Sequence, residues 1–101
     1  MIIYVDIDET ICHYDNVERS YENASPIHDH IAKINDLYDQ GNTIVYWTAR
    51  GSTTGIDYTE LTRAQLATWG AKHHDVKLKK PHYDLFICDK AINTEEYFKN
   101  V

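Results

Sequence analysis

Asp6 and Asp8 stand two apart at the end of the apolar run Ile2-Ile3-Tyr4-Val5, and a third acid, Asp89, ends the later run Leu85-Phe86-Ile87-Cys88. Residues two apart on a strand project to one side, so Asp6 and Asp8 share a face. Three carboxylates held close repel one another unless a cation neutralises them. Oxygen-only ligands favour a hard ion, and Mg2+ also takes phosphate oxygens as partners. The expected metal ligands are therefore Asp6, Asp8 and Asp89. With the ion in place, one aspartate can attack phosphorus to give an aspartyl-phosphate. The other can protonate the leaving oxygen and later activate water. Thr48, and a lysine of the pair Lys79-Lys80, are the groups to bind phosphoryl oxygens as charge develops.

Parallel sheets bind ligands outside the carboxyl ends of their strands, so these residues need strands behind them. Ile2 to Ile7 reads as a buried strand, and Cys12 to Ala24 as a loop or short hairpin. Ser25-Pro26 reads as an N-cap with proline at the first helical position. Ile27, Ile31, Ile34 and Tyr38 then recur on one helix face, and Gly41 stops it. The run 44–47 suits a strand covered on both faces. Asp57 with Glu60 resembles a capping box for a second helix that runs to about Trp69, with Gly70 as its stop. Short strands are expected at 76–78 and 85–88, and Thr94 is expected to cap a last short helix. This βαβαββα order predicts an α/β domain, a largely parallel sheet of about four strands flanked by helices.

DxDxT at Asp6, Asp8 and Thr10, then Thr48, the pre-proline Lys80 and Asp89 resemble the motifs of the haloacid dehalogenase superfamily, in that family's order. Tyr46-Trp47-Thr48-Ala49-Arg50-Gly51, Trp69-Gly70 and the stretch from Lys80-Pro81 to Asp89-Lys90-Ala91-Ile92-Asn93 are similar to its small capless capsule or polysaccharide biosynthesis phosphatases. The resemblance implies a Rossmann-like core with no cap domain. It also implies Asp6 as nucleophile, Asp8 as general acid/base, and Thr48 and Lys80 as phosphate-binding catalytic residues. Asp89 falls on the acidic fourth motif. Thr10 and Arg50 are assigned to substrate binding, with pairing to a loop acid as the equal alternative for Arg50. A sugar phosphate is the implied substrate class. The narrower group carries two adjacent aspartates where this chain has Cys88-Asp89. That departure motivates the alternative of a binding or regulatory module without turnover; a nucleotidase is the alternative within the enzyme reading.

The 101 residues suit one domain, and a net charge of −6 argues against a phosphate-tracking nucleic-acid binder. No apolar run reaches the roughly 20 residues of a membrane span. Cys12 and Cys88 form no CxxC pair, so a reducing cytoplasm is the expected setting. His28-x-His30 and His73-His74 lack companions at zinc-ligand spacing and read as surface or core histidines. Tyr14 and Tyr21 either line a substrate pocket or pack the 11–24 loop down. The intervals from Thr10 to Ser25 and from Thr48 to Lys80 are too short for an inserted domain. An open site is expected, closed by the 11–24 loop or by a second subunit.

Overall fold

The computed structural model describes residues 1–15 and 20–101. In chain order the elements are β1 (Ile2–Val5), β2 (Cys12–His13), β3 (Ser25–Pro26), α1 (His28–Asp39), β4 (Thr43–Trp47), α2 (Thr59–Thr68), β5 (Asp75–Lys77) and α3 (Thr94–Tyr97). The sheet order is β1-β4-β5, all parallel, with Val5 beside Tyr46 and Tyr46 beside Val76. β4 is the middle strand, which is why its Ile44, Val45 and Tyr46 are all buried and its sequence shows no polar alternation. Asp6 and Thr48 directly follow β1 and β4, so both emerge at the carboxyl edge of the sheet.

α1 turns Ile31 and Ile34 inward against a core that includes Ile7, Ile11, Ile44 and Leu66. Gly41 ends its segment at a φ of 97°, a conformation that glycine adopts without a Cβ penalty. The expected helix start at Ser25-Pro26 is corrected: that dipeptide pairs antiparallel with Cys12–His13, and α1 begins two residues later. Proline suits either a first helical turn or a strand edge, because neither position needs its N–H, so the signal was degenerate. Asp57 still serves α2, with Oδ1 accepting from Thr59 N–H at 2.9 Å, although Tyr58 holds the capping position. Asn93, not Thr94, caps α3 by accepting from Glu95 N–H at 2.9 Å.

The expected strand at 85–88 does not form. Leu85, Phe86, Ile87 and Cys88 are irregular and exposed, and the sheet has three strands among the described residues. An apolar run records a capacity for pairing; it does not record whether an edge has been taken. β1 remains an edge strand on its outer side. Only α2 and β5 lie between Thr48 and Lys80, and no cap is inserted there. Residues 16–19 of the 11–24 loop lie outside the described residues; beyond them Tyr21–Asn23 forms a 3-10 turn. No described helix is long and apolar enough to cross a membrane.

Candidate functional site

Immediately after β1 the chain folds back on itself. Thr10 and Ile11 N–H both donate to Ile7 O, at 3.1 and 2.9 Å, and Glu9 takes a φ of 64°. This tight turn buries Ile7 and leaves Asp6 and Asp8 lining one cavity of about 360 Å³, with Thr48, Arg50, Lys80 and Tyr83 among its other walls. Asp6 is open to solvent and accepts Ile7 N–H at 2.9 Å. The protein packed around it holds its carboxyl above the ordinary value, with Lys80 and the Ile7 N–H pulling the other way.

Asp8 is held quite differently. Arg50 grips it bidentately, Nε donating to Oδ2 at 3.0 Å and Nη2 to Oδ1 at 2.9 Å. Tyr14 O–H donates to Oδ1 at 2.6 Å, and Cys12 S–H to the same oxygen at 3.4 Å. Burial alone would raise this carboxyl, but the Arg50 hydrogen bonds and charge outweigh it and hold it below the ordinary value. Arg50 itself is 1% exposed, and its Nη1 donates to Thr62 Oγ1 at 3.2 Å and Gln65 Oε1 at 2.5 Å. Gln65 Nε2 donates to Tyr21 O at 2.6 Å, and the guanidinium lies 4.8 Å from the Tyr21 ring centroid. One planar cation thus joins the turn after β1, helix α2 and the 3-10 turn. Of the two roles open to Arg50, pairing with an acid is the one its geometry fills.

Thr48 is buried, and its Oγ1 accepts Arg50 N–H at 3.2 Å, leaving the hydroxyl hydrogen to point at a ligand. Lys80 N–H donates to Thr48 O at 3.0 Å, which fastens the lysine to the end of β4. Its ammonium sits 5.2 Å from the Trp47 ring centroid and 5.4 Å from that of Tyr83. Lys79, at a φ of 64°, does not line the cavity. Gly51 closes the same turn at a φ of 80°, and a Cβ there would overlap Ile56 O. Gly51→Ala therefore must shift the Arg50 loop, and we expect a loss of about 2 kcal/mol or more in urea unfolding.

Thr10 stands apart from the cavity. It is buried, its hydroxyl bonded to Thr94 Oγ1 at 2.7 Å, and its carbonyl meets His30 Nδ1 at 2.7 Å. Asp89 is exposed and does not line the cavity. The residues as arranged do not fit the expected Mg2+: both Asp8 oxygens are occupied by donors, Asp89 is elsewhere, and no group of three His, Cys, Asp or Glu among the described residues could hold a metal ion. The histidines serve as expected in packing, His30 stacking on Phe98 at 4.0 Å and His74 accepting Ile44 N–H at 3.1 Å. Thr62, Gln65, His82 and Tyr83 had not been singled out. The three-residue spacing of Thr62 and Gln65, on the helix face that also buries Leu66, was the available signal for the first two.

No family model matches the chain, and no curated protein matches it. A crystal structure of a structural-genomics target from Vibrio cholerae aligns with 95% of this chain and 85% of that chain, with a TM-score of 0.81 at 23% sequence identity. At that identity the likeness shows the fold, a small α/β domain with helices flanking a parallel sheet.

Proposed function

We propose that the protein is a phosphomonoester hydrolase of the haloacid dehalogenase type that works through an aspartyl-phosphate on Asp6. The observation that carries the reading is the convergence of Asp6, Asp8, Thr48 and Lys80 on one cavity at the carboxyl edge of a parallel sheet. In the first step an Asp6 oxygen attacks phosphorus, the bond from phosphorus to the ester oxygen breaks, and the departing oxygen takes a proton from solvent water, to which Asp6 is open. In the second, water attacks the same phosphorus, the bond to Asp6 breaks, and orthophosphate leaves. Thr48 O–H and the Lys80 ammonium supply donors to the phosphoryl oxygens, where charge is greatest. Asp8, held ionised by Arg50, is a weak base, but with a single donor on Oδ2 it can orient that water, whose proton passes to solvent or leaves with orthophosphate. The acid role of Asp8, toward the departing oxygen, is the one the Arg50 grip opposes. The cavity volume suits a small phosphorylated metabolite, and the motif resemblance adds the sugar phosphate class.

The test is a panel of phosphomonoesters with released phosphate as the readout, run with and without Mg2+ and beside Asp6→Asn. Phosphate release no greater than that of Asp6→Asn on every ester would overturn the reading. Lys80→Ala is expected to lower kcat/KM by about 10²–10³, the loss typical of one donor to a developing charge. Lys79→Ala is expected to stay within about twofold, so the two lysines act as each other's control.

A phosphate-binding module without turnover is the second reading. The full occupation of Asp8 by donors favours it. Saturable phosphate binding without any hydrolysis would select it.

A further inference from the structure

Lys80 lies on a wall shared by the cavity that Asp8 and Arg50 line and by a larger groove, of about 1200 Å³, that borders β1. Its backbone is fastened on both sides: the N–H donates to Thr48 O at 3.0 Å, and the carbonyl accepts Ser52 O–H at 2.6 Å. Only the four-carbon stem is left to move. Among the described residues the ammonium makes no ion pair and no hydrogen bond. Yet it is near enough to Asp6 for its charge to act on that carboxyl, against the larger effect of burial. A lysine with nothing else to hold it would close that distance into an ion pair.

What holds it is aromatic. The ammonium sits 5.2 Å from the Trp47 ring centroid and 5.4 Å from that of Tyr83. A ring face attracts a cation but takes no strong hydrogen bond from it, so the three N–H donors stay available. The other cation of the site is treated in the opposite way: Arg50 is given an acid, and spends its donors on Asp8, Thr62 and Gln65. We propose that Trp47 and Tyr83 form an aromatic clamp that holds the Lys80 ammonium short of Asp6, and so keeps both groups uncommitted until a phosphoryl group arrives between them. Trp47 is then a positioning residue, acting through Lys80.

The Trp47 ring is itself held in place. Tyr4 meets it edge-on, with centroids 5.6 Å apart and planes at 88°. Lys77, level with Trp47 across the β4–β5 ladder, donates from Nζ to the Tyr4 hydroxyl at 2.9 Å. All three strands of the sheet thus contribute one side chain to the support. Trp47 lines the groove and not the cavity, so it reaches a phosphoryl group bound there only through the lysine. Tyr83 is backed by the Phe86 ring, with centroids 5.4 Å apart. Trp47 and Thr48 are adjacent and alternate in direction, so one strand end supplies a hydroxyl to the cavity and a ring to the lysine. The clamp rests on the geometry; its worth in turnover rests on the phosphatase reading.

The test uses inorganic phosphate, which reads the clamp without turnover. In Trp69→Phe protein the remaining indole is Trp47. Phosphate is expected to change its emission saturably, and Lys80→Met to silence that response. By calorimetry, Trp47→Leu and Tyr83→Leu should each weaken phosphate about tenfold, while Trp47→Phe, which keeps a ring face, should stay within about threefold. In Lys80→Met protein, adding Trp47→Leu should cost nothing further. Tyr83 is 43% exposed, so its variant tests the clamp even where Trp47→Leu fails to fold. Trp47→Phe as weak as Trp47→Leu, an equal loss from Trp47→Leu with and without the ammonium, or phosphate binding indifferent to Lys80→Met would each overturn the proposal. The ester panel separates the clamp from the function. Asp6-dependent hydrolysis with wild-type kcat/KM and phosphate affinity in Trp47→Leu removes the clamp alone. Ring-dependent phosphate binding without hydrolysis removes the phosphatase alone.

Discussion

Asp6→Asn is expected to lower phosphomonoester turnover by at least about a thousandfold while the protein remains folded, because an amide cannot serve as the attacking carboxylate. Its effect on stability has the opposite sign. Although Asp6 reaches solvent, the protein packed around it raises its carboxyl pKa in the folded state, more than Lys80 and the Ile7 N–H lower it, so its ionised form is disfavoured there. Such a group supports the fold below the unfolded carboxylate value, and that support is lost as pH rises through the raised folded value. At neutral pH the neutral amide escapes this cost, and the thermal midpoint should rise. Below about pH 4 the difference between the two proteins should vanish. Loss of turnover with a raised midpoint separates chemistry from misfolding in one preparation. Turnover within tenfold of wild type would remove Asp6 as the nucleophile. Mass spectrometry of protein quenched during turnover should find the phosphoryl adduct on Asp6.

The largest stability effect is expected at Arg50. Arg50→Met strands a mostly buried Asp8 carboxylate and leaves Thr62 and Gln65 without the donor they share. Removing one partner of a buried ion pair typically costs about 3–5 kcal/mol, far more than the net worth of the pair. In a domain of this size that is roughly 15 °C or more in Tm. Asp8→Asn in the Arg50→Met background should recover part of the loss, which a double-mutant cycle by urea unfolding would measure. Acid sensitivity follows from the same pair. Asp8 has a carboxyl pKa lowered in the folded state, so its contribution is full above the unfolded carboxylate value and is lost as pH falls through the lowered one. Wild type minus Arg50→Met should therefore shrink below about pH 4. A constant difference across that range would mean that Arg50 stabilises by packing alone.

Helix α1 and the strands that became β1, β4 and β5 were legible because their signals are local: Ile31 and Ile34 at helical spacing, Ile44, Val45 and Tyr46 in an unbroken run, Gly41 at a stop. Pro26 was ambiguous because a strand edge and a helix start make the same demand of it. Leu85 to Cys88 shows the limit more clearly. Its strand character is in the sequence, but the segment stays irregular and exposed, because whether an apolar run pairs depends on distant parts of the chain that nothing local records. The pocket was legible to the extent that it follows strand ends: Asp6, Asp8, Thr48 and Lys80 share a cavity because β1, β4 and the loop after β5 end at one edge. The state of Asp8 was not. It depends on a cation reaching it from Arg50, held from behind by two polar residues of α2, and only the folded arrangement discloses such a chain of contacts.

The Thr10–Thr94 contact has a consequence for the order in which the molecule assembles. The Arg50–Asp8 pair closes a separation of 42 residues, and the Thr10–Thr94 hydroxyl bond closes one of 84. Doubling a loop costs about 0.6 kcal/mol of additional closure entropy, with little local reward until the closure is complete. β1 and β4 must pair first, because they carry Asp8 and Arg50 to the same edge. The Thr10–Thr94 bond, which ties α3 to the turn after β1, is therefore expected to close after that pairing. Mutations at Thr94 or Phe98 should act on the unfolding rate and leave the folding rate almost untouched, the behaviour of contacts made after the folding barrier has been crossed.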